Sequence, residues 1–273
     1  ITTTTNYDTI IHDYYPYSVL EQDNEKISHF SYGLIILNYA QTSVSKLLTK
    51  SLWSNAKIRA CADGGTNILK DHTFSLISSL NDKTQFIPDY INGDMDSITE
   101  SSRIYYNQFN VPFIYTPDQN ATDFVKCLKI MLDQTQKSKL DMIYIFSTFG
   151  GRFDQAMSNI HTLYLYPTLQ LYLVTDEDIT FLLKPGHNHI HIKSSLRGDY
   201  CSLLPIAEST NVITNGLKWN LNNDTELNFH SLISSSNTYD ENLLKSDIID
   251  YVHIYTEKYL VWSMTYNSSH SHR

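Results

Sequence analysis

The sequence predicts an α/β N-terminal domain with a mostly parallel sheet over residues 27–184 and a C-terminal all-β sandwich domain over residues 185–273, after an extension at residues 1–26. Three observations carry this expectation. Short, continuous apolar runs such as Gly33-Leu34-Ile35-Ile36-Leu37 recur as far as Leu183, as strands buried on both faces require. Stretches with helical period separate them. Beyond Pro185-Gly186 the pattern changes to short alternating segments with no helix between them.

Composition sets the outer limits. A chain of 273 residues, 41% hydrophobic, can bury a sizeable core. Its 20 Lys+Arg against 29 Asp+Glu give a net charge of −9, which argues against nucleic acid as a partner, because a phosphate backbone needs a basic face. Cys61, Cys127 and Cys201 are odd in number and widely spaced, so they read as reduced thiols. Ile1-Thr2-Thr3-Thr4-Thr5-Asn6 has no basic or apolar leader pattern, and no apolar run approaches bilayer length. A soluble, cytoplasmic protein with no membrane partner is expected.

In chain order, residues 1–26 are rich in Thr, Tyr and Asp with no sustained period and are expected to form an extension that lies on the surface or is partly loose. The strand Gly33–Leu37 is followed by a helical stretch near Ser45–Trp53, and Lys57–Ala62 is the next strand. That strand ends in Asp63-Gly64-Gly65-Thr66-Asn67, before a helix. Two glycines there allow backbone N–H groups to approach an anion, but a tight βα connection needs them equally. The turn matches neither a dinucleotide fingerprint nor a Walker lysine loop.

Strand Phe86–Ile91 leads into Asn92-Gly93-Asp94-Met95-Asp96-Ser97, which puts two carboxylates one residue apart at a strand's end. In an open α/β sheet, ligands bind beyond the carboxyl ends of the strands. Paired hard oxygens in that crevice point to Mg²⁺ carrying a phosphate chain, and ordinary turn chemistry with a helix cap is the other reading. A helix over Ser97–Phe109 and a strand over Val111–Tyr115 come next. Phe124, Cys127, Leu128 and Met131 then fall on one helical face. Asp123 is in that helix's first turn, where an acid also complements the dipole, and Asp118 precedes it.

Strand Asp141–Phe146 closes in Gly150-Gly151-Arg152-Phe153-Asp154-Gln155, a glycine-rich turn carrying an arginine suited to phosphate, before a helix through Met157, Ile160, His161 and Tyr164. Leu169–Val174 and Ile179–Leu183 are the last strands of this part. The C-terminal part offers His187–Ile192, Tyr200–Leu204, Asn211–Thr214, Leu227–Ser234, Tyr251–Thr256 and Tyr259–Met264 as strands. His187, His189 and His191 share one strand face, which reads as a solvated face ahead of a metal site. The tail from Asn267 to Arg273 is expected to fray.

Five motifs now stand in order: Ala62-Asp63-Gly64-Gly65; Gly93-Asp94-Met95-Asp96-Ser97; Asp118-Gln119 with Thr122-Asp123-Phe124; Gly150-Gly151-Arg152-Phe153-Asp154-Gln155; and Gly216-Leu217-Lys218-Trp219-Asn220-Leu221. Together, over about residues 30–267, they resemble the eukaryotic type of thiamin pyrophosphokinase. The resemblance implies a homodimer that transfers the diphosphate of ATP to the hydroxyethyl oxygen of thiamine, giving thiamine diphosphate and AMP. It implies that Asp63, Asp94, Asp96 and Asp123 form the acidic catalytic site, with Asp94, Asp96 and Asp123 on Mg²⁺. Gly64, Gly65, Gln119, Arg152 and Asp154 are then the ATP and phosphate residues, and Trp219, Ser234, Ser235 and Asn237 the thiamine residues, with Trp219 reaching the partner subunit's site.

The chemistry of the residues agrees with that expectation. Phosphoryl-type transfer needs positioning and charge neutralisation above all. Because AMP leaves, attack falls on the β-phosphorus; Asp123 or Asp94 is the expected proton acceptor. Trp219 could stack on the thiazolium cation, and its alternative is a place in the sandwich core. Met95 stands where the family often has Phe, and Asp240–Ile249 reads as an insertion beside the Ser234-Ser235-Ser236-Asn237 loop. The competing functions are a Mg²⁺-dependent phosphohydrolase and a thiamine- or nucleotide-binding regulatory module without turnover.

Overall fold

The computed structural model describes residues 10–21, 29–39, 46–80, 86–136, 139–242 and 250–267. The chain divides into two compact units, Asn24–Asp176 and, from both ends, Ile1–Asp23 with Glu177–Arg273. The first described strand, β1 (Ile11–Tyr14), belongs to the second unit.

In the unit Asn24–Asp176 the order is β2 (Tyr32–Ile36), α1 (Lys50–Asn55), β3 (Ile58–Ala62), α2 (Gly65–Leu80), β4 (Tyr90–Gly93), α3 (Glu100–Asn107), β5 (Phe113–Tyr115), α4 (Asp123–Gln134), β6 (Met142–Phe146), α5 (Phe153–Leu165) and β7 (Leu171–Val174). The strands pair in the order β7-β6-β2-β3-β4-β5 and every pair is parallel. Each residue of β2, β4, β6 and β7 is buried, which explains why their sequences are unbroken apolar runs instead of alternations. Threonines cap three helices: Thr49, Thr99 and Thr122 accept from Leu52 N–H, Ser102 N–H and Val125 N–H. The helix expected from Ser97 therefore begins later, at Glu100.

β2 pairs with β3 on one side and with β6 on the other. The chain first builds outward through β3, β4 and β5, then crosses back to add β6 and β7. The strand order reverses between β2 and β6, and a crevice opens at such a switch point beyond the strands' C-terminal ends.

The second unit continues with β8 (Asp178–Leu183), β9 (Gly186–His191), β10 (Arg197–Leu204), β11 (Thr210–Asn215), β12 (Glu226–Leu227), β13 (Ser234–Thr238), β14 (Tyr251–Thr256) and β15 (Leu260–Tyr266). One sheet runs β1-β9-β14-β11-β12, and β8, β15, β10 and β13 are neighbours in another. Burial alternates along β9, β11 and β14, the mark of sheets with one face toward a core. Tyr14 of β1 stacks on Phe181 of β8 with ring centroids 5.2 Å apart, so the two sheets touch.

Three expectations are corrected here. Residues 10–21 of the supposed extension are built in: β1 pairs parallel with β9, and Tyr14, Tyr17 and Leu20 are buried. Leu227–Ser234 is not one strand; β12 stops at Leu227 and a turn closed by Asn228 N–H to Leu232 carbonyl follows. Ser234–Asn237 lie on β13, paired with β10, instead of in a loop. Ser45, residues 243–249 of the supposed insertion and the tail 268–273 lie outside the described residues. No described helix is long and apolar enough to cross a membrane.

Candidate active site

A cavity of about 650 Å³ opens at the switch point. Its walls come from the segments after β2 (Leu37, Asn38, Tyr39), β3 (Asp63), β4 (Asp94, Asp96, Ser97) and β6 (Ser147 to Arg152), with Thr122, Asp123 and Phe124 at the start of α4. Each segment sits there because a parallel strand ends beneath it.

Asp63 follows β3 with φ +43, its backbone N–H donating to the Asn92 carbonyl at 2.7 Å. It is buried, and its Oδ1 has no hydrogen-bond partner. Burial pushes its carboxyl up from the ordinary value; the Ser97 hydroxyl opposes this, and the Asp123 and Asp96 charges add to it. A Cβ on Gly93 would meet Asp63 Cβ at 2.7 Å, so only glycine lets β4 pass this close.

Asp94 and Asp96 flank Met95, which has φ +70. Asp94 accepts from Asp96 N–H at 3.3 Å and from Gln119 Nε2 at 3.3 Å, and these donors hold its carboxyl below the usual range. Ser97 Oγ donates to Asp96 at 2.9 Å. Asn67, in the first turn of α2, donates to the Ser97 carbonyl at 2.8 Å and accepts from Thr99 N–H at 3.0 Å. The acidic loop is thus fastened to two helices.

One carboxylate oxygen each from Asp63, Asp94 and Asp96 lie within 4.8 Å of one another. Three hard oxygen donors, one with an unmatched lone pair, suit Mg²⁺. Asp123 lines the same cavity outside this trio, its Oδ1 2.7 Å from Lys126 Nζ. The expected metal set of Asp94, Asp96 and Asp123 therefore differs from the trio the fold assembles, which has Asp63 in place of Asp123.

Gly65 is required by packing, because a Cβ there would meet the Ile36 carbonyl at 2.3 Å; a Cβ on Gly64 would meet the Asn38 side-chain amide at 2.3 Å and push it aside. The two glycines let the end of β2 approach α2. Arg152 lines the cavity as the N-cap residue of α5, with no side-chain cap on that helix. Its Nε donates to Asp154 Oδ1 at 3.1 Å, and its second ion-pair contact is to Asp154 Oδ2. The pairing raises the guanidinium's pKa and lowers the carboxyl's. Both are solvent-exposed, and such a pair is readily exchanged for a phosphate. Gly150 and Gly151 have φ +130 and +60, and the Tyr39 ring lies where a Gly150 Cβ would stand.

The expected thiamine residues belong to the other unit. Trp219 is 55% exposed, which excludes the core alternative; Trp262, fully buried, is the core tryptophan. Lys218 Nζ lies 4.7 Å from the Trp219 ring centroid. Asn237 is buried and clamps this turn: its Oδ1 accepts from Trp219 N–H at 3.3 Å and its Nδ2 donates to the Trp219 carbonyl at 2.9 Å. Asn237 therefore positions Trp219. Ser234 is half-buried and Ser235 exposed on the same strand.

The His187, His189 and His191 face is half-buried and paired instead of freely solvated. His187 Nδ1 lies 2.8 Å from His253 Nε2, and His191 Nε2 lies 3.0 Å from Asp13 Oδ1. Among the described residues the acidic trio is the one group of three metal-ligating side chains this close. Sequence reasoning passed over Tyr39, Asn67 and Lys126. Asn67 closes the Asp63-Gly64-Gly65-Thr66-Asn67 turn, which was a signal; Tyr39 and Lys126 gave none.

Comparison with known proteins follows the same division. Residues 49–173 match the family described as thiamin pyrophosphokinase, catalytic domain, and residues 187–245 match thiamin pyrophosphokinase, vitamin B1 binding domain. The chain is 36% identical over 242 residues to thiamine pyrophosphokinase 2 of Arabidopsis thaliana, covering 86% of each. It is 28% identical over 278 residues to thiamine pyrophosphokinase of Saccharomyces cerevisiae, covering 82% of this chain and 86% of that protein. The crystal structure of yeast thiamin pyrophosphokinase superposes with a TM-score of 0.76 at 24% identity, over 98% of this chain and 95% of that one, a likeness of fold.

Proposed function

This chain belongs to the thiamin pyrophosphokinase family, and from that premise we propose that it transfers the diphosphate of ATP to the hydroxyethyl oxygen of thiamine, giving thiamine diphosphate and AMP, with Mg²⁺ as cofactor. The observation that carries this reading is the convergence of Asp63, Asp94 and Asp96 within 4.8 Å at the switch-point crevice. Like charges brought that close call for a cation. Bound there, Mg²⁺ would draw charge from the phosphate oxygens and orient the chain of phosphates.

The protein's own residues do the remaining work. Arg152 exchanges Asp154 for a phosphate oxygen, and the uncapped N-terminus of α5 offers backbone N–H groups beside it. The thiamine oxygen attacks the β-phosphorus, the bond to the α,β-bridging oxygen breaks, and AMP departs with that oxygen. Asp94 is a poor acceptor for the hydroxyl proton, because Asp96 N–H and Gln119 stabilise its ionised form, so the proton passes to the Asp123 carboxylate, which lines the same cavity.

Trp219 supplies an exposed flat ring for the thiazolium cation. Trp219, Phe229, Leu232 and Ile233 are each exposed on their unit, which supports a homodimer in which such side chains are covered and Trp219 serves the partner's site. Free, buried Cys61, Cys127 and Cys201 support a reducing compartment such as the cytoplasm.

The test is incubation with ATP, Mg²⁺ and thiamine, followed by product analysis. AMP and thiamine diphosphate in equal amounts are expected. Phosphate release without thiamine would favour a phosphohydrolase, and thermal stabilisation by thiamine without AMP would favour a binding module.

A further inference from the structure

Lys126 is the one buried lysine or arginine among the described residues, with 8% of its surface exposed. Taking an ammonium out of water is unfavourable unless it is hydrogen-bonded and paired with an opposite charge. Here it is both. Nζ donates to the Thr116 carbonyl at 2.8 Å and the Asp118 carbonyl at 3.2 Å, and lies 2.7 Å from Asp123 Oδ1. Two hydrogen bonds hold the ammonium to the loop, and the Asp123 carboxylate pairs with its charge without a hydrogen bond.

Both carbonyls belong to the segment joining β5 to α4. That segment carries Gln119, whose Nε2 donates to Asp94 Oδ2 at 3.3 Å and to the Pro117 carbonyl at 3.4 Å. Asp118 folds the same segment by accepting from Asn120 N–H and Nδ2, each at 2.9 Å. The ammonium is thus the peg between a helix, an acid lining the cavity, and the loop that touches the acidic trio.

We propose that Lys126 is a positioning residue: by holding residues 116–118 and the Asp123 carboxylate to α4, it keeps Gln119 against Asp94 and fixes the geometry of the Asp63-Asp94-Asp96 cluster. Lys126 itself touches no reacting atom. For its kinetic consequence the inference rests on the diphosphate-transfer reading; for its effect on metal binding it rests on the geometry alone.

The experiment compares wild type, Lys126→Met, Lys126→Arg and Gln119→Ala, with Lys126→Met also placed in the Gln119→Ala background. Mg²⁺ binding is measured by calorimetry, and KM and kcat by AMP formation. Lys126→Met is expected to weaken Mg²⁺ binding and raise KM for the nucleotide about tenfold, with a smaller change in kcat, as suits coupling between groups of one network. Lys126→Arg, which keeps the charge, should recover most of this. In the Gln119→Ala background the effect should shrink at least about threefold, because the two residues act along one path.

A Lys126→Met protein that folds and binds Mg²⁺ as wild type does would overturn the proposal, as would an effect of full size in the Gln119→Ala background. If Lys126→Met does not fold, Lys126→Gln takes its place with the same two criteria. A wild type that binds Mg²⁺ but forms no AMP would refute the diphosphate-transfer reading alone; the calorimetric comparison would still decide the role of Lys126.

Discussion

Asp63→Asn removes one negative charge from the acidic trio while keeping side-chain volume, and asparagine accepts the left-handed φ of +43 as readily as aspartate does. Two unit charges 4.8 Å apart, the outer limit of the trio, interact by ~3.5 kcal/mol at an effective dielectric constant of about 20. Asp94 is half-buried and Asp96 exposed, so water and salt reduce this to about 2–3 kcal/mol. A cation held by the trio loses at least that much, which corresponds to about a hundredfold fall in the rate of AMP formation. Stability should move the other way. Burial raises the Asp63 pKa from its ordinary 3.8, so above that range the folded chain must carry a carboxylate it disfavours, and wild type is destabilised relative to the variant. In metal-free buffer at neutral pH, the Tm of Asp63→Asn should equal or exceed that of wild type. The difference should shrink as pH falls toward 3.8 and vanish below it, where both states are protonated. AMP formation within about threefold of wild type, or a Tm advantage that grows as pH falls, would refute the reasoning.

Three further outcomes follow from the same geometry. Gly150→Ala puts a Cβ 1.9 Å from the Tyr39 ring at φ +130, so calorimetry should show a loss of about 2 kcal/mol, a Tm fall of about 5 °C, with weaker nucleotide binding. Trp219→Ala removes an exposed ring, so stability should stay within about 0.5 kcal/mol of wild type while KM for thiamine rises about three- to thirtyfold; an unchanged KM would detach Trp219 from the substrate. Met95→Gly relieves a φ of +70, worth ~1–2 kcal/mol, against ~0.5–1 kcal/mol of added chain entropy. Its Tm should barely move, and the Mg²⁺ concentration needed for half-maximal activity should rise because the Asp94–Asp96 spacing loosens; an identical Mg²⁺ midpoint would count against this.

The legible parts of this fold are those where one local rule decides. β2 and β6 are buried along their whole length, so their sequences cannot alternate; Asp63 and Asp94 directly follow the apolar strands β3 and β4, and Asp96 comes two residues after Asp94. β1 was illegible because Ile11-His12-Asp13-Tyr14 gives little apolar signal; Tyr14 is its one buried residue, and β9 supplies the rest by pairing. β13 was illegible for a similar reason: a run of serines becomes a strand through β10 and through Asn237. The histidine face looked solvated because its partners are remote in sequence, 66 residues away for His187 and His253 and 178 for His191 and Asp13. Lys126 lies three residues after Asp123 on a helix, a spacing that ordinarily means a surface ion pair. Only the carbonyls of Thr116 and Asp118, brought over by the loop, make it a buried peg.

The backbone gives a reason for the acids to stay together. Asp63, Met95 and Ser147 are non-glycine residues with φ +43, +70 and +60, and they follow β3, β4 and β6 closely. Each left-handed residue costs ~1–2 kcal/mol, so the three loops around the cavity hold several kcal/mol of strain that packing must offset. Gly93 passes against Asp63, the Asp63 N–H is tied to the Asn92 carbonyl, and Asn67 fastens the Asp94–Ser97 loop to α2. With the backbone so constrained, mutual repulsion among Asp63, Asp94 and Asp96 cannot be relieved by drawing the loops apart. Protonation or a cation must relieve it instead. Asp94 resists protonation, because its carboxyl is held below the usual range, and this favours the cation. On the diphosphate-transfer reading proposed above, the strain would be the physical link between the order of the strands and affinity for a divalent ion with its phosphates.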